Sequence, residues 1–300
     1  MTVRVIAIVI AVLLQLSTLS LDAQITPQAL TNPSPQTKLR LTKALDEYRA
    51  KGDLAGESST LLQLGIVEAS LGNLDEARSG LVEAAEKMRS QNDLLGAWMA
   101  HLLLCQVEAG SGRVGEAIRH AEKAVALLDE VKASTAPINL KTLTAFSSPV
   151  GFSPQMLKDL DGPTASVMKP ILLQSSLEPL THDMYGNVLA LGGKFEKAEK
   201  ELQAAAAGSA FSRGLYDFSI EGHFGDLRFL QKNYDEARAH YMKALNASPK
   251  MAMFAAVSPQ IKAGIYERLA RLETITNHPE EAKRWSEKAQ ELGRNRPESR

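Results

Sequence analysis

Between about Leu39 and Leu292 the chain repeats one pattern of apolar and polar positions. Five stretches share a register: "LGNLDEARSGLVEAAEKM" (71–88), "GSGRVGEAIRHAEKAVAL" (110–127), "LGGKFEKAEKELQAAAAG" (191–208), "LQKNYDEARAHYMKALNA" (230–247) and "ITNHPEEAKRWSEKAQEL" (275–292). Each has an alanine at one place (Ala77, Ala117, Ala198, Ala237, Ala282) and another seven residues on (Ala84, Ala124, Ala205, Ala244, Ala289). Twelve residues before the first alanine stands a small residue: Gly65, Cys105, Gly186, Gly225 or Ala270. Seven residues make two helical turns, so each alanine pair lies on one face. Two helices close to about 8–10 Å only where the side chains at the crossing are small. The pattern therefore predicts five helix hairpins, the small residue of each first helix meeting the alanine pair of the second. Leu81, Leu202 and Tyr241 fill between them, with Trp285 displaced by one residue, while Ala121 and Ser286 are weaker fillings. Such a hairpin cannot bury its apolar face alone and must stack on neighbours.

The register also decides the reading of "GSGRVG" (110–115), which fits the G-x-G-x-x-G spacing of a dinucleotide loop. That loop needs a strand before it and an acid about 20 residues on at a second strand. Here a helical pattern precedes it, and Asp129 and Glu130 end another. Gly112 aligns with Gly72 and Gly193, where a helix end calls for positive φ. The stretch reads as a turn between helices. Cys105 takes the slot of Gly65 and reads as packing rather than as a nucleophile.

The pattern resembles the tetratricopeptide repeat (TPR). The pairs Leu64-Gly65, Tyr185-Gly186 and Phe224-Gly225, the alanine pairs and Pro249 carry the resemblance, and "QKNYDEARAHYMKALNASP" is similar to the family consensus. The steps between first alanines depart from the usual 34 residues: 77 to 117 is 40, 198 to 237 is 39 and 237 to 282 is 45. Steps of this length resemble those of bacterial signalling arrays. The resemblance implies an α-solenoid of stacked antiparallel hairpins whose first helices line a concave groove. It places Leu62, Ile66, Leu102, Gln106, Asp183, Asn187, Asp226, Phe229, Glu267 and Arg271 on that groove. The N-terminal half of this set is apolar, and Leu62, Ile66 and Leu102 would form an exposed stripe. The C-terminal half is mixed and leans acidic, with only Arg271 and Asn187 suited to a carboxylate clamp. The resemblance implies a protein partner offering an apolar helix or an extended segment.

Around the repeats the organisation changes. "MTVRVIAIVIAVLLQLSTLSLDAQ" has Arg4, an apolar run from Val5 to Leu16 and a small-residue stretch ending at Ala23. It reads as a signal peptide over 1–23, implying export to a periplasm or outside the cell, with an uncleaved membrane anchor as the alternative. Residues 24–36 read as a flexible lead-in and 37–131 as two units behind a capping helix that carries Leu41 and Ala44. Residues 132–174 contain five prolines and read as a degenerate repeat or an insertion, with Phe146 and Phe152 flanking a turn. Units three to five fill 175–292, starting near Ser175, Ser212 and Ser258, and 293–300 is a polar tail.

Charge and chemistry narrow the function. Lys+Arg 34 against Asp+Glu 35 leaves a net charge of −1, which gives no footprint for nucleic acid or an anionic membrane. A single cysteine forms no internal disulfide, so stability comes from packing. The histidines (His101, His120, His182, His223, His240, His278) show no close metal spacing, and neither a G-x-S-x-G nor a P-loop lysine is present. The sequence implies no metal or cofactor and a non-catalytic, exported scaffold for protein–protein interaction. A sensor module acting on a separate effector chain is the alternative, and an enzyme a third. Self-association would require an apolar end face on unit five, at "ERLARLETI" (267–275).

Overall fold

The computed structural model describes residues 35–134, 173–208, 217–247 and 258–294. Among them are eleven α-helices and no strand. They are α1 (Pro35–Lys51), α2 (Leu54–Ser70), α3 (Leu74–Ser90), α4 (Leu94–Gly110), α5 (Val114–Ala133), α6 (Glu178–Leu191), α7 (Phe195–Gly208), α8 (Asp217–Leu230), α9 (Tyr234–Ala247), α10 (Ser258–Ile275) and α11 (Pro279–Arg294). A π-helical turn, Leu173–Leu177, leads into α6. Helices α2 to α11 pair as five consecutive antiparallel hairpins, and α1 packs on α2. The leader, the 135–172 segment with Phe146 and Phe152, the start near Ser212 and residues 295–300 lie outside the described residues. Among the described residues no helix is long and apolar enough to cross a membrane.

Each hairpin closes as its small residue requires. All ten repeated alanines are buried. A Cβ added at Gly65 would stand 2.5 Å from Leu81, at Gly186 2.7 Å from Leu202 and at Gly225 2.4 Å from Tyr241. The two weak fillings belong to the hairpins whose first helix carries more than glycine: Ala121 opposes Cys105, and Ser286 opposes Ala270. Small plus large is exchanged for medium plus small, which keeps the packed volume nearly constant. Burial pushes the Cys105 thiol up to about 12, so it stays protonated and acts as a small apolar group.

The turn reading of 110–115 holds. Gly112 has φ +74°, matching Gly72 at +82° and Gly193 at +71°. The Gly112 N–H donates to the Ala109 carbonyl and the Arg113 N–H to that of Glu108, a Schellman closure of α4. In units four and five Lys232 and Asn277 occupy the same left-handed position. Asp53 and Asp93 cap the next helix starts, accepting from the Gly56 and Gly96 amides at 2.9 and 3.0 Å.

Stacking between units uses a second repeated position. The residue after the first alanine of each second helix meets the buried end of the next first helix. Arg78 pairs with Glu108 at 2.8 Å and Arg238 with Glu273 at 2.7 Å. Lys38 of the cap pairs with Glu68 at 2.7 Å. Between units three and four the charges are exchanged, Arg228 meeting Glu199 at 2.6 Å. Between units two and three the pair becomes Ile118 and Leu189, buried in one apolar cluster. Helix α6 packs directly on α5 and α4, and the buried Trp98 Nε1–H donates to Thr181 Oγ1 at 2.9 Å. Unit three therefore sits straight on unit two.

The outward face of α11 exposes Glu280, Glu281, Lys283, Arg284, Glu287 and Gln290. Within 267–275 Leu269 and Leu272 are fully buried, while Ile275 is exposed.

Candidate interaction groove

First helices touch first helices across units, α2 to α4, α4 to α6 and α6 to α8, while each second helix packs on the next first helix. The first helices thus form the tighter, inner layer of the solenoid, the candidate groove. Two repeated positions build its floor: the residue after each small residue, and the residue two before the next small residue. In unit one Ile66 packs on the cluster that holds Leu103. Next, the Gln106 Nε2–H meets Met184 Sδ at 3.7 Å. Asn187 and His223 hold these places in units three and four. Finally Asp226 takes the Arg268 Nε–H at 2.9 and 3.1 Å on its two oxygens, with the Tyr241 hydroxyl donating to it at 2.9 Å. Along the floor, hydrocarbon contact gives way to amide, then to an ion pair.

The ten groove residues therefore divide. Leu62 and Leu102 are fully buried members of the core cluster, so the exposed stripe expected from them does not exist. Asp183 and Asp226 are also buried, held by the neighbouring unit. Their placement as open groove positions is corrected: neighbouring helices cover them, which turns these positions inward. Ile66, Gln106, Asn187 and Phe229 are half-buried, and Glu267 and Arg271 are exposed. Arg271 lays its guanidinium 5.1 Å from the Phe229 ring centre, and Tyr234 meets that ring edge-on.

Asp183 accepts from Ser219 Oγ at 2.6 Å and from His223 Nδ1 at 2.7 Å. Serine, histidine and aspartate come together, but both donors go to the carboxylate, and all three side chains are buried. A nucleophilic triad needs the serine on the imidazole and open to substrate. The cluster instead ties α6 to α8. Sequence reasoning missed Ser219, His223 and Arg268, because each earns its place from a partner 36 to 42 residues away. Among the described residues no three His, Cys, Asp or Glu side chains are grouped to hold a metal ion.

An all-α solenoid of stacked hairpins is a class built for extended contact with another chain. The comparisons give it a type. The tetratricopeptide-repeat family model matches residues 222–251, the α8–α9 hairpin. The crystal structure of BtubC (BKLC) from P. vanneervenii is similar over 88% of this chain and 94% of that one, with a TM-score of 0.52 and 14% identity. That likeness is one of fold. A search of curated proteins finds no match. The hairpin at 222–251 is thus of the tetratricopeptide type, set in an all-α solenoid of stacked hairpins.

Proposed function

We propose that the protein is a non-catalytic scaffold that holds an extended segment of another protein along its first-helix layer. Repeats of this type generally mediate protein–protein interaction. One observation carries the finer reading. Asn187 Oδ1 is buried at the groove floor and has no hydrogen-bond partner among the described residues. Leaving such an acceptor unpaired costs about 1–3 kcal/mol, and rotation of the half-buried carboxamide onto a peptide N–H would relieve it. Ile66 supplies apolar contact on one side, and the Phe229–Arg271 pair supplies an aromatic and cationic anchor on the other.

The test selects short random peptides against the full chain and titrates the best binder against Asn187→Ala and Arg271→Glu. Circular dichroism confirms the fold of each variant. Each substitution is expected to weaken binding about tenfold, the value of one buried hydrogen bond. Unchanged affinity in both variants overturns the groove reading. The apolar leader supports export, and a native chain beginning at Gln24 by mass spectrometry is the expected result. A chain that keeps Arg4 points instead to a membrane anchor.

A further inference from the structure

A second repeated pairing runs along the side of the solenoid, away from the groove floor. Residues nineteen apart meet across each hairpin: Leu61 with Gly80, His101 with His120, His182 with Glu201, Glu221 with His240 and Tyr266 with Trp285. In units three and four an imidazole Nδ1 sits 2.7 Å from a carboxylate oxygen. A proton on such a ring adds attraction to the pair. Unit two has two imidazoles instead, their Nδ1 atoms 3.0 Å apart. Acid therefore acts on this hairpin with the opposite sign.

The ring planes lie within 29° of parallel, with centroids 5.2 Å apart. The two Nδ1 atoms face each other at hydrogen-bond distance, so one Nδ1–H donates to the other Nδ1. That bond survives while at least one ring is neutral. With a proton on both, two N–H groups and two positive charges meet, and neither ring can accept. Lys123 and Arg119 of α5 add further positive charge. Among the described residues neither ring meets a carboxylate. Carboxylates on the surrounding helices have other partners: Glu68 of α2 pairs with Lys38, Glu83 of α3 with Arg49, Glu108 of α4 with Arg78, Glu116 of α5 with Arg119 and Glu178 of α6 with Lys132. Both rings are half-buried, and burial first holds each well below its ordinary 6.5, at about 4. An opened hairpin frees them from that burial and takes up their protons first as pH falls, so acid favours the open form.

We propose that the His101–His120 pair is an acid-sensitive latch, which holds α4 on α5 at neutral pH and lets this hairpin open when both rings are protonated. The response differs along the solenoid: unit two opens while units three and four, with their imidazole–carboxylate pairs, stay closed. Helix α4 also carries Gln106 on the groove floor, so the opening reaches the first-helix layer. The array itself shows how to remove the latch. His120→Glu sets a carboxylate opposite His101, the arrangement that His182 and Glu201 already have, and places it beside Arg119 and Lys123.

Native-state hydrogen exchange of the full chain tests this at about pH 7 and about pH 4.5, each amide corrected for its intrinsic rate. Protection of the α4 and α5 amides, Gln106 included, is expected to fall about tenfold or more beyond that of α6 to α9. His120→Glu should remove most of that excess. In the unsubstituted chain the imidazole nitrogen resonances of His101 and His120 should show both rings taking up protons over the same pH range as the loss. This second reading stands even if the variant misfolds. An equal loss in every hairpin, an undiminished loss in folded His120→Glu, or a loss while either ring stays neutral overturns the proposal.

Discussion

The two ends of the groove floor do the same mechanical work with different chemistry. Near its start, α2 meets α4 through Ile66, Leu62, Leu102 and Leu103, an apolar contact with no polar atom to satisfy. Near its end, α8 meets α10 through Asp226 and Arg268, a buried ion pair whose carboxylate also accepts from the Tyr241 hydroxyl of α9. Burial moves the Tyr241 hydroxyl upward, further from ionisation, so it stays a donor to Asp226. The apolar floor is tolerant of register, since one leucine replaces another. The ionic floor is not, because a shifted neighbour leaves a buried charge alone. The lesson is that a repeat fixes where helices touch, while each unit chooses the chemistry of that touch.

The sharpest way to break the comparison is to place a charge in the apolar half. Leu102→Glu buries an unpaired carboxylate and is expected to unfold the chain, with a loss above about 4 kcal/mol by chemical denaturation. A folded variant with native helicity would restore Leu102 to the surface. In the ionic half, Asp226→Ala strands Arg268 and should cost about 3–5 kcal/mol, whereas Asp226→Leu with Arg268→Met together should be nearly neutral. Equal losses for the two would show that the pair stabilises outright.

Smaller effects follow from the hairpins. Gly65→Ala drives a Cβ into Leu81 and should cost about 1–3 kcal/mol. Cys105→Ala, opposite the small Ala121, should cost less. Acid should act through His101 and His120, whose folded values near 4 lie below the ordinary 6.5. The unfolded chain takes up these protons first as pH falls. Their contribution is therefore full above about pH 6.5 and is lost on acidification towards 4. His101→Gln should flatten the fall of thermal midpoint across that window. The mildest change is Lys232→Gly, which places glycine at the left-handed turn position that units one to three already give it. A gain of about 0.5–1 kcal/mol is expected in denaturant midpoints.

Much of this architecture was legible because it is local. The meetings of Gly65 with Leu81 and of Gly225 with Tyr241 are written in one hairpin each, at a fixed spacing of 16 residues. The positive φ of Gly112 follows from its register with Gly72. Ala121 and Ser286 looked like faults until their partners, Cys105 and Ala270, showed that the crossing volume is shared between two positions. The groove was harder. Ile66, Gln106, Asn187, Phe229, Glu267 and Arg271 keep some exposure, but Leu62, Leu102, Asp183 and Asp226 turn inward. Their burial depends on how closely successive first helices approach, which no single unit encodes. The pairing of His101 with His120 was legible in principle, since the same nineteen-residue spacing recurs in later units.

The central claim is that a partner's backbone lies along the first helices, against the Gln106 and Asn187 carboxamides. The direct measurement is the side-chain amide resonances of these two residues, recorded with and without a selected peptide. The account predicts that both move on saturation, Asn187 most, while the Leu102 methyl groups stay in place. Shifts confined to the outer helices α3, α5, α7 and α9, with both carboxamides unmoved, would contradict it.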